Sequence, residues 1–403
     1  MKKANLFLST MLIAALSAVS ATAAPKYSIT EIPTLGGLNA SASGVNERGQ
    51  VIGTSDVTFF SNGVNPIYHP FPYSNGVILD LGTLGATNAW AAAINSRGQV
   101  AGYTRTLNGY EEAFVYTTGA LTALGDLGAG MSQANAINDN GDVVGMSYPQ
   151  PQIWQAFYYT KGSLSAIGPQ LMSSDAIAIN NAGQIAGNLN LIDSRYGSAQ
   201  SNAFQSAKGG APVLLGCISE NPCDNGHASV AYAMNQRGQI TGGASGAGYF
   251  HAFRWTSGTM TDLGAFDSRG YSIGYAINIK GDVTGYSNKY PGSHAFLYTS
   301  GTLKDLGTLG GSDSAGLALN SSSEVVGYSR ITDNNVALPN HAFLYSNGIT
   351  YDLNNLIDPK SNLKSSVTLI AATGITDSGY IIAGGYNSTN GSYRAYLLKK
   401  IEK

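Results

Sequence analysis

The sequence predicts an all-β fold, an eight-bladed β-propeller of four-stranded antiparallel blades in which an N-terminal strand completes the last blade. Three observations predict it. A phrase made of an Ala/Gly-rich stretch ending in Ile-Asn, two loose residues and Gly-x-Val-x-Gly, as in AAAINSRGQVAGYT at residues 91–104, returns eight times. Its first polar residue falls at Asn46, Asn95, Asn138, Asn180, Asn235, Asn278, Asn320 and, substituted, Thr376, a spacing that belongs to propellers or solenoids. The segments between these points are short, apolar or β-branched, and bounded by Gly, Ser and Asn, with no helical period after the first residues, which is the pattern of strands and tight turns.

Each unit carries four such segments, seen most cleanly in SAGLALN (314–320), EVVGYS (324–329), HAFLY (294–298) and TLKDLG (302–307). In the first of them, only Ala or Gly stands two and four residues before the Asn: Ala42 and Gly44, Ala91 and Ala93, Ala134 and Ala136, and so on to Ala372 and Gly374. Alternate residues of a strand share a face, so one nearly bare face is expected, suited to the innermost strand where blades converge. The Asn-x-x-Gly spacer fits a type I turn closed by a left-handed Gly, with the Asn side chain bonding its own turn.

After the eighth phrase, Arg394-Ala395-Tyr396-Leu397 stands for His-Ala-Phe-Leu and no fourth strand follows. Residues 28–37, SITEIPTLGG, align without gaps on TLKDLGTLGG at 302–311. The N-terminal strand is therefore expected to close the ring and leave no open sheet edge.

A charge pattern accompanies the third strand. His69, His251, His294 and His341 are each followed eleven residues later by Asp80, Asp262, Asp305 and Asp352, whereas Glu112, Gln155 and Asn202 are followed by Ala123, Ala166 and Val213. In the closing blade Arg394 takes the His place and Glu31 the Asp place. Such covariation predicts cross-strand pairs. They are read as ties of the repeat rather than as catalytic bases, because pairs in different blades cannot converge on one substrate.

HAFLYTSGTLKDLGTLGGSDSAGLALNSSSEVVGYS (294–329) and HAFLYSNGITYDL (341–353) resemble the repeat of bacterial extracellular proteins of the HAF-repeat family, over roughly residues 27 to 398. The resemblance implies export and a repeat fold of propeller type. It carries over no activity, ligand or catalytic residue.

Lys2 and Lys3, the apolar run from Leu6 to Val19 and Ala21-Thr22-Ala23 read as a signal peptide over residues 1–23. Residues 24–403 then form one propeller domain, secreted, periplasmic or at the cell surface after cleavage near Ala23, without a transmembrane segment and expected to be a monomer. With 11% charged residues, net charge −2 and no Lys/Arg run, nucleic acid is not an expected partner. Cys217 and Cys223, the two cysteines, share the loop GCISENPCDNG and are expected to pair after export. A zinc site is the alternative, but the loop falls short of four ligands. No cofactor is expected; calcium at the axis or at an Asp/Asn-rich loop stays open as an alternative that no ligand run supports.

The first and third turns of each unit are uniformly tight, whereas the second turns and the blade-to-blade links vary. Function collects on variable loops held by a rigid scaffold, so the candidate ligand-binding residues are the aromatics of that face: Tyr68, Trp154, Tyr196, Tyr249 and Tyr290, with Phe59 and Phe60. Their composition suits an extracellular glycan or protein ligand. The alternative for each aromatic is that it caps its own blade, as is expected of Trp255. The expected function is a non-catalytic binding or adhesion module. The alternative is a secreted hydrolase or lyase at the axial mouth, where Asp175 is the lone carboxylate among the residues five before each Asn.

Overall fold

A computed structural model describes residues 24–57, 66–150, 153–168, 173–192, 199–218, 228–246, 248–267, 270–334 and 336–402. Its strands form eight four-stranded antiparallel sheets, each a consecutive meander except the last. Blade one runs Ala40–Val45, Val51–Asp56, Tyr68–Ser74 and Val77–Ile78. Blade eight is built from Val367–Ile375, Tyr380–Asn387 and Ser392–Lys400, with Tyr27–Glu31 as its outer strand. Ile29 pairs with Leu398 and Glu31 with Tyr396, so the two chain ends share one sheet. The first strands of successive blades touch one another in a ring that includes the last and the first, which places them at the axis.

The turn after each first strand shows why Asn recurs there. Asn278 Oδ1 accepts the amides of Lys280 and Asp282, both at 3.0 Å, and Gly281 closes the turn at φ +87°. The amide group does a second job that the local pattern does not show. Asn278 Nδ2 donates to the carbonyl of Asn320 in the next blade at 3.0 Å. The same bond links Asn46 to Asn95, Asn95 to Asn138, Asn138 to Asn180 and Asn235 to Asn278. Asn180 reaches Gln236 instead, at 3.4 Å. At the ring's seam Thr376 has no amide to offer, and the carboxylate of Glu47 in blade one receives the Asp377 and Ser378 amides at 3.0 and 2.9 Å.

Every first strand also carries a β-bulge, and it changes the reading of the small residues. The register shifts between the residue four before and the residue two before the Asn, at Ala42/Gly44, Ala91/Ala93, Ala134/Ala136 and their equivalents. An extra residue there reverses the alternation. The pair therefore does not share one bare face. Ala91 and Ala134 pack in the junction with the preceding blade, whereas Ala136 and Ala178 pack in the junction with the following one. Small residues are required on both faces because both neighbours press on the inner strand.

The bulge accounts for the second Gly of the phrase as well. A Cβ on Gly53, Gly102, Gly145 or Gly327 would overlap the carbonyl oxygen of Ser41, Trp90, Gln133 or Ala315. It would also press on the ring of Phe71, Phe114, Phe157 or Phe343. Those rings are the Phe of each third strand, and with Phe204, Phe253, Phe296 and Tyr396 they are at most 1% exposed. The apolar side chains gather between blades rather than within them, one cluster at each junction. Trp255 lies in the cluster of blades four and five. Ser132, Ser174, Ser229, Ser272 and Ser314 open the first strands of blades three to seven. Their hydroxyls accept the amides of Ala113, Ala156, Ala203, Ala252 and Ala295 in the preceding blade.

One element departs from the all-strand expectation. Leu353–Leu356 form a single helical turn with Asp352 as its N-cap, accepting the Asn354 amide at 2.9 Å, and Leu353 and Leu356 are buried. An Asp followed by a buried Leu pair satisfies the first turn locally, and so short a helix leaves no periodicity to detect.

Two outcomes are expected. Asn278→Ala takes the acceptor from the Lys280 amide and the buried Asp282 amide and leaves the Asn320 carbonyl with the Ser323 amide alone, and should cost about 1 to 3 kcal/mol in urea unfolding. Asn278→Asp keeps the acceptor but loses the donor and adds a charge beside Asp282, so it should be comparably destabilised at neutral pH, whereas a purely local turn role would spare it. Deleting residues 24–36 removes Tyr27 and Ile32 from their cores and should lower the melting temperature. Unfolding at the full-length temperature with equal cooperativity would show that the strand does not close the ring.

Candidate functional site

The first and third turns share one face of the ring. The third turns are two-residue loops with both central residues at positive φ, as at Asn75-Gly76, Ser300-Gly301 and Asn347-Gly348, the type I′ geometry that fits strand twist. Most blades are alike there; blade four has a longer turn between Ala207 and Val213, and at the seam a cleft of about 670 Å³ opens beside Glu324, Asn347, Asp377 and Lys400. The second turns and the links occupy the opposite face and differ in every blade.

The aromatics nominated from the sequence are spread around this loop face rather than brought together. Tyr68 begins the third strand of blade one, where its amide donates to Asn88 Oδ1 at 2.8 Å. Its ring lies 6.3 Å from Trp90, which stacks on Tyr103 at 5.2 Å. Trp154 in blade three meets Tyr148 edge-on at 4.0 Å. Tyr249 in blade five stacks on His251 at 4.2 Å, so its ring covers a structural pair. Tyr290 stands 93% exposed. Tyr196, Phe59, Phe60 and Cys223 lie outside the described residues, while Cys217 sits in the link after blade four.

A larger aromatic assembly lies in blades five to seven, and the sequence reading passed over it. Phe250 stacks on Tyr271 at 5.1 Å, Tyr271 lies 6.1 Å from Tyr286, Tyr286 5.6 Å from Tyr275, and Tyr275 meets Tyr232 edge-on at 5.5 Å. The bulge positions hold Tyr232 and Tyr275, and the place after the second Gly holds Tyr286 and Tyr328, as it does Tyr103 in blade two. A signal existed: GYS and GYT recur beside the phrase, but Tyr in a strand reads as filler. Between blades six and seven the assembly opens into a cleft of about 330 Å³, bordered by Tyr275, Tyr286, Tyr328, Asp313, Arg330 and Asn340.

Burial pushes the Tyr271 hydroxyl up to about 12, helped by the neighbouring Tyr286 and Tyr232. Burial raises Tyr275 and Tyr286 too. These hydroxyls therefore remain neutral donors and acceptors at any physiological pH.

The His/Asp pairs lie between third and fourth strands, away from the axis. His69 Nδ1 is 2.8 Å from Asp80, His251 Nδ1 3.0 Å from Asp262, His294 Nδ1 3.0 Å from Asp305 and His341 Nδ1 2.8 Å from Asp352. Arg394 Nε stands 3.4 Å from Glu31 Oε1 in the closing blade. Each of these aspartates also accepts an amide of the link that follows, as Asp262 does from Gly264 at 2.7 Å. The arrangement fastens the outer strand and its exit loop; it offers no shared substrate position.

At the axis, Asp175 heads the first strand of blade four. Burial pushes its carboxyl up to about 6, against the opposing hydrogen bonds from Asn188 and the backbone. Among the described residues no group of three or more His, Cys, Asp and Glu side chains could hold a metal ion, and no helix is long and apolar enough to cross a membrane.

No family model and no curated protein matches the chain. Solved structures similar to it include the β-propeller domain of the Trilobed protease from Pyrococcus furiosus, at 11% identity over 83% of this chain and 100% of that one, with a TM-score of 0.48. A Mycobacterium tuberculosis puromycin-hydrolyzing peptidase is similar at 11% identity over 82% of this chain and 55% of that one, TM-score 0.48. Pyrococcus horikoshii acylaminoacyl peptidase is similar at 11% over 86% and 57%, TM-score 0.46. The chain spans little more than half the length of these two peptidases. The likeness is one of fold.

The charged pairs give a pH prediction. Burial opposes ionisation of Asp262, Asp305 and Asp352, but hydrogen bonds from their His partners and the link amides outweigh it; Lys289 adds to this at Asp305. All three carboxyls are held below the usual range. A lowered folded-state value stabilises above the unfolded pKa of about 3.9 and is lost as pH falls through the folded value. Unfolding free energy should therefore fall on acidification below about pH 4, and the triple Asp→Asn variant should be less stable at pH 7 with a flatter acid limb.

Proposed function

We propose that the protein is an exported, non-catalytic propeller that binds an extracellular glycan or protein ligand through the aromatic residues of its loop face. The observation that carries this reading is the half-buried aromatic surface of that face, Tyr68, Trp90 and Tyr103 on one side of the ring and the tyrosines of blades five to seven on the other. Flat side chains already held by their neighbours bind with little loss of conformational freedom. Low charge supports an uncharged or mixed ligand. Export is supported by the leader pattern of residues 1–23 and by the likeness of the repeats to those of HAF-repeat proteins.

A second reading has one observation in its favour. A carboxyl raised to about 6 at the axial mouth, Asp175, is suited to general acid work. It stands alone: glycoside hydrolysis, for instance, needs a second carboxylate across the bond. Asp175 is better understood as an inner-strand residue capped by Asn188.

Expression with its leader should yield a mature protein beginning at Ala24, with Cys217 and Cys223 joined and resistant to alkylation until reduced. The mature protein should bind saturably to a glycan array or to cell-envelope fractions, more weakly after Trp90→Ala or Trp154→Ala. Turnover on polysaccharide and ester panels that disappears in Asp175→Asn would replace this reading with the enzymatic one.

A further inference from the structure

Resting on that binding reading, we propose that the cleft between blades six and seven is a subsite for a neutral saccharide, with Tyr275, Tyr286 and Tyr328 as its platform and Asp313, Arg330 and Asn340 as its polar rim. The cleft differs from the other aromatic groups of the face in being concave and mixed. Its volume of about 330 Å³ is at the small end of ligand pockets, where apolar walls combine with a few convergent polar groups. Tyr68 and Trp90 border a smaller depression of about 200 Å³.

The chemistry of the lining selects among ligands. Tyrosine faces accept the apolar C–H faces of a pyranose, while their hydroxyls, Asp313 and Arg330 match its alternating hydroxyl groups as acceptors and donors. One carboxylate and one guanidinium border the cleft, so neither an anionic nor a cationic ligand is favoured over a neutral one. The groups are fixed before binding. Asp313 Oδ1 accepts the Ser293 amide at 3.1 Å and Oδ2 accepts Ser312 Oγ at 3.0 Å. Arg330 Nε is directed to the Thr332 carbonyl and stands 3.6 Å from Asp333, which leaves the rest of the guanidinium available. Tyr275 and Tyr286 are in ring contact at 5.6 Å, and Tyr275 on the inner strand and Tyr286 and Tyr328 on second strands are held by the sheets that carry them, so little ordering remains for a ligand to impose.

The protein also explains why the platform is confined to these blades. The position after the second Gly is Thr54, Met146, Asn188 and Gly243 in blades one, three, four and five. Tyr286 and Tyr328 fill it in neighbouring blades and face one gap. Tyr103 has no such partner, its neighbour in blade three being Met146.

The test is calorimetric titration of the mature protein with neutral oligosaccharides of glucan, mannan, galactan and N-acetylglucosamine type, alongside charged uronic-acid oligomers. At least one neutral series should bind, weakened at least about tenfold in Tyr328→Ala and in Arg330→Ala, but unchanged in Val77→Ala, an exposed residue beside a tight third turn. Melting temperatures control for folding, and Tyr328→Phe, which keeps the ring, should retain most of the affinity if Tyr328→Ala proves unstable. Saccharide binding that survives Tyr328→Ala and Arg330→Ala, or that vanishes in Trp90→Ala alone, would overturn the cleft assignment and leave the general binding reading intact. Preference for the charged oligomers, or capture of an envelope protein with no saccharide bound, would overturn the ligand class. Absence of any saturable partner would overturn both.

Discussion

The asparagine turn at the end of each inner strand is the contact on which the ring depends. One side chain satisfies two amides of its own turn and one carbonyl of the next blade, so the local hairpin and the junction between blades are made by the same residue. Asn is suited to this because it has both an acceptor and a donor on one short stem. Aspartate would have the acceptor alone, and serine would not reach. These asparagines are 1–7% exposed, so an unmade Oδ1 bond leaves an amide of the turn without its acceptor, while an Asn carbonyl reached by Nδ2 keeps the amide that closes its own turn. The blades have no cores of their own, because the Phe of each third strand is buried against a neighbour. A blade therefore gains its apolar burial and its polar satisfaction only when the next one is in place.

That mutual dependence concentrates the problem at the seam. Thr376 breaks the series, and Glu47 answers with a carboxylate that receives two amides of the last turn. The outer part of the same blade is completed by Tyr27–Glu31, and Arg394 and Glu31 fasten the two chain ends across it. The seam thus carries different chemistry at its inner and outer edges: a carboxylate receives two amides inside, and an Arg/Glu ion pair takes the place of His/Asp outside.

Much of this was legible in the sequence because it repeats. The period gave the blades, the alignment of residues 28–37 on 302–311 gave the closing strand, and the covariation of His with Asp gave the outer pairs. What stayed hidden were contacts whose partners lie one repeat away. The asparagines looked like turn residues because the Oδ1 bonds are local, while the Nδ2 bonds cross some 42 to 56 residues of chain. The Ala/Gly pair looked like one face because alternation is the default for a strand, and nothing in the letters marks the bulge except the second Gly, whose missing Cβ makes room for the carbonyl that the bulge displaces. The hydroxyls of Ser132, Ser174, Ser229, Ser272 and Ser314 were invisible for the same reason. The candidate site was less legible still. Aromatics on variable loops were visible as exceptions, but Tyr275, Tyr286 and Tyr328 lie inside the repeated strands, where the eye is on the scaffold.

The location of those tyrosines follows from the scaffold's own constraints. The second strand alternates a Gly that must stay bare with a following residue turned to the other side, and the inner strand's bulge frees one more residue from the ladder. These two places are the ones near the axis that the repeat leaves unspecified: they hold Ser43, Ala92, Asn135 and Ile177 as readily as Tyr232 and Tyr275. Substitution there spares the asparagine bonds, the bare glycines and the buried Phe rings, although Ser43, Asn135 and Asn188 use these places to bond the backbone of the next blade. A rigid ring with two free positions per blade can therefore acquire a ligand surface without altering its closure, and aromatic residues at free positions of adjacent blades will face a common gap. The specificity of this protein is written between blades, at positions whose neighbours in sequence are all scaffold.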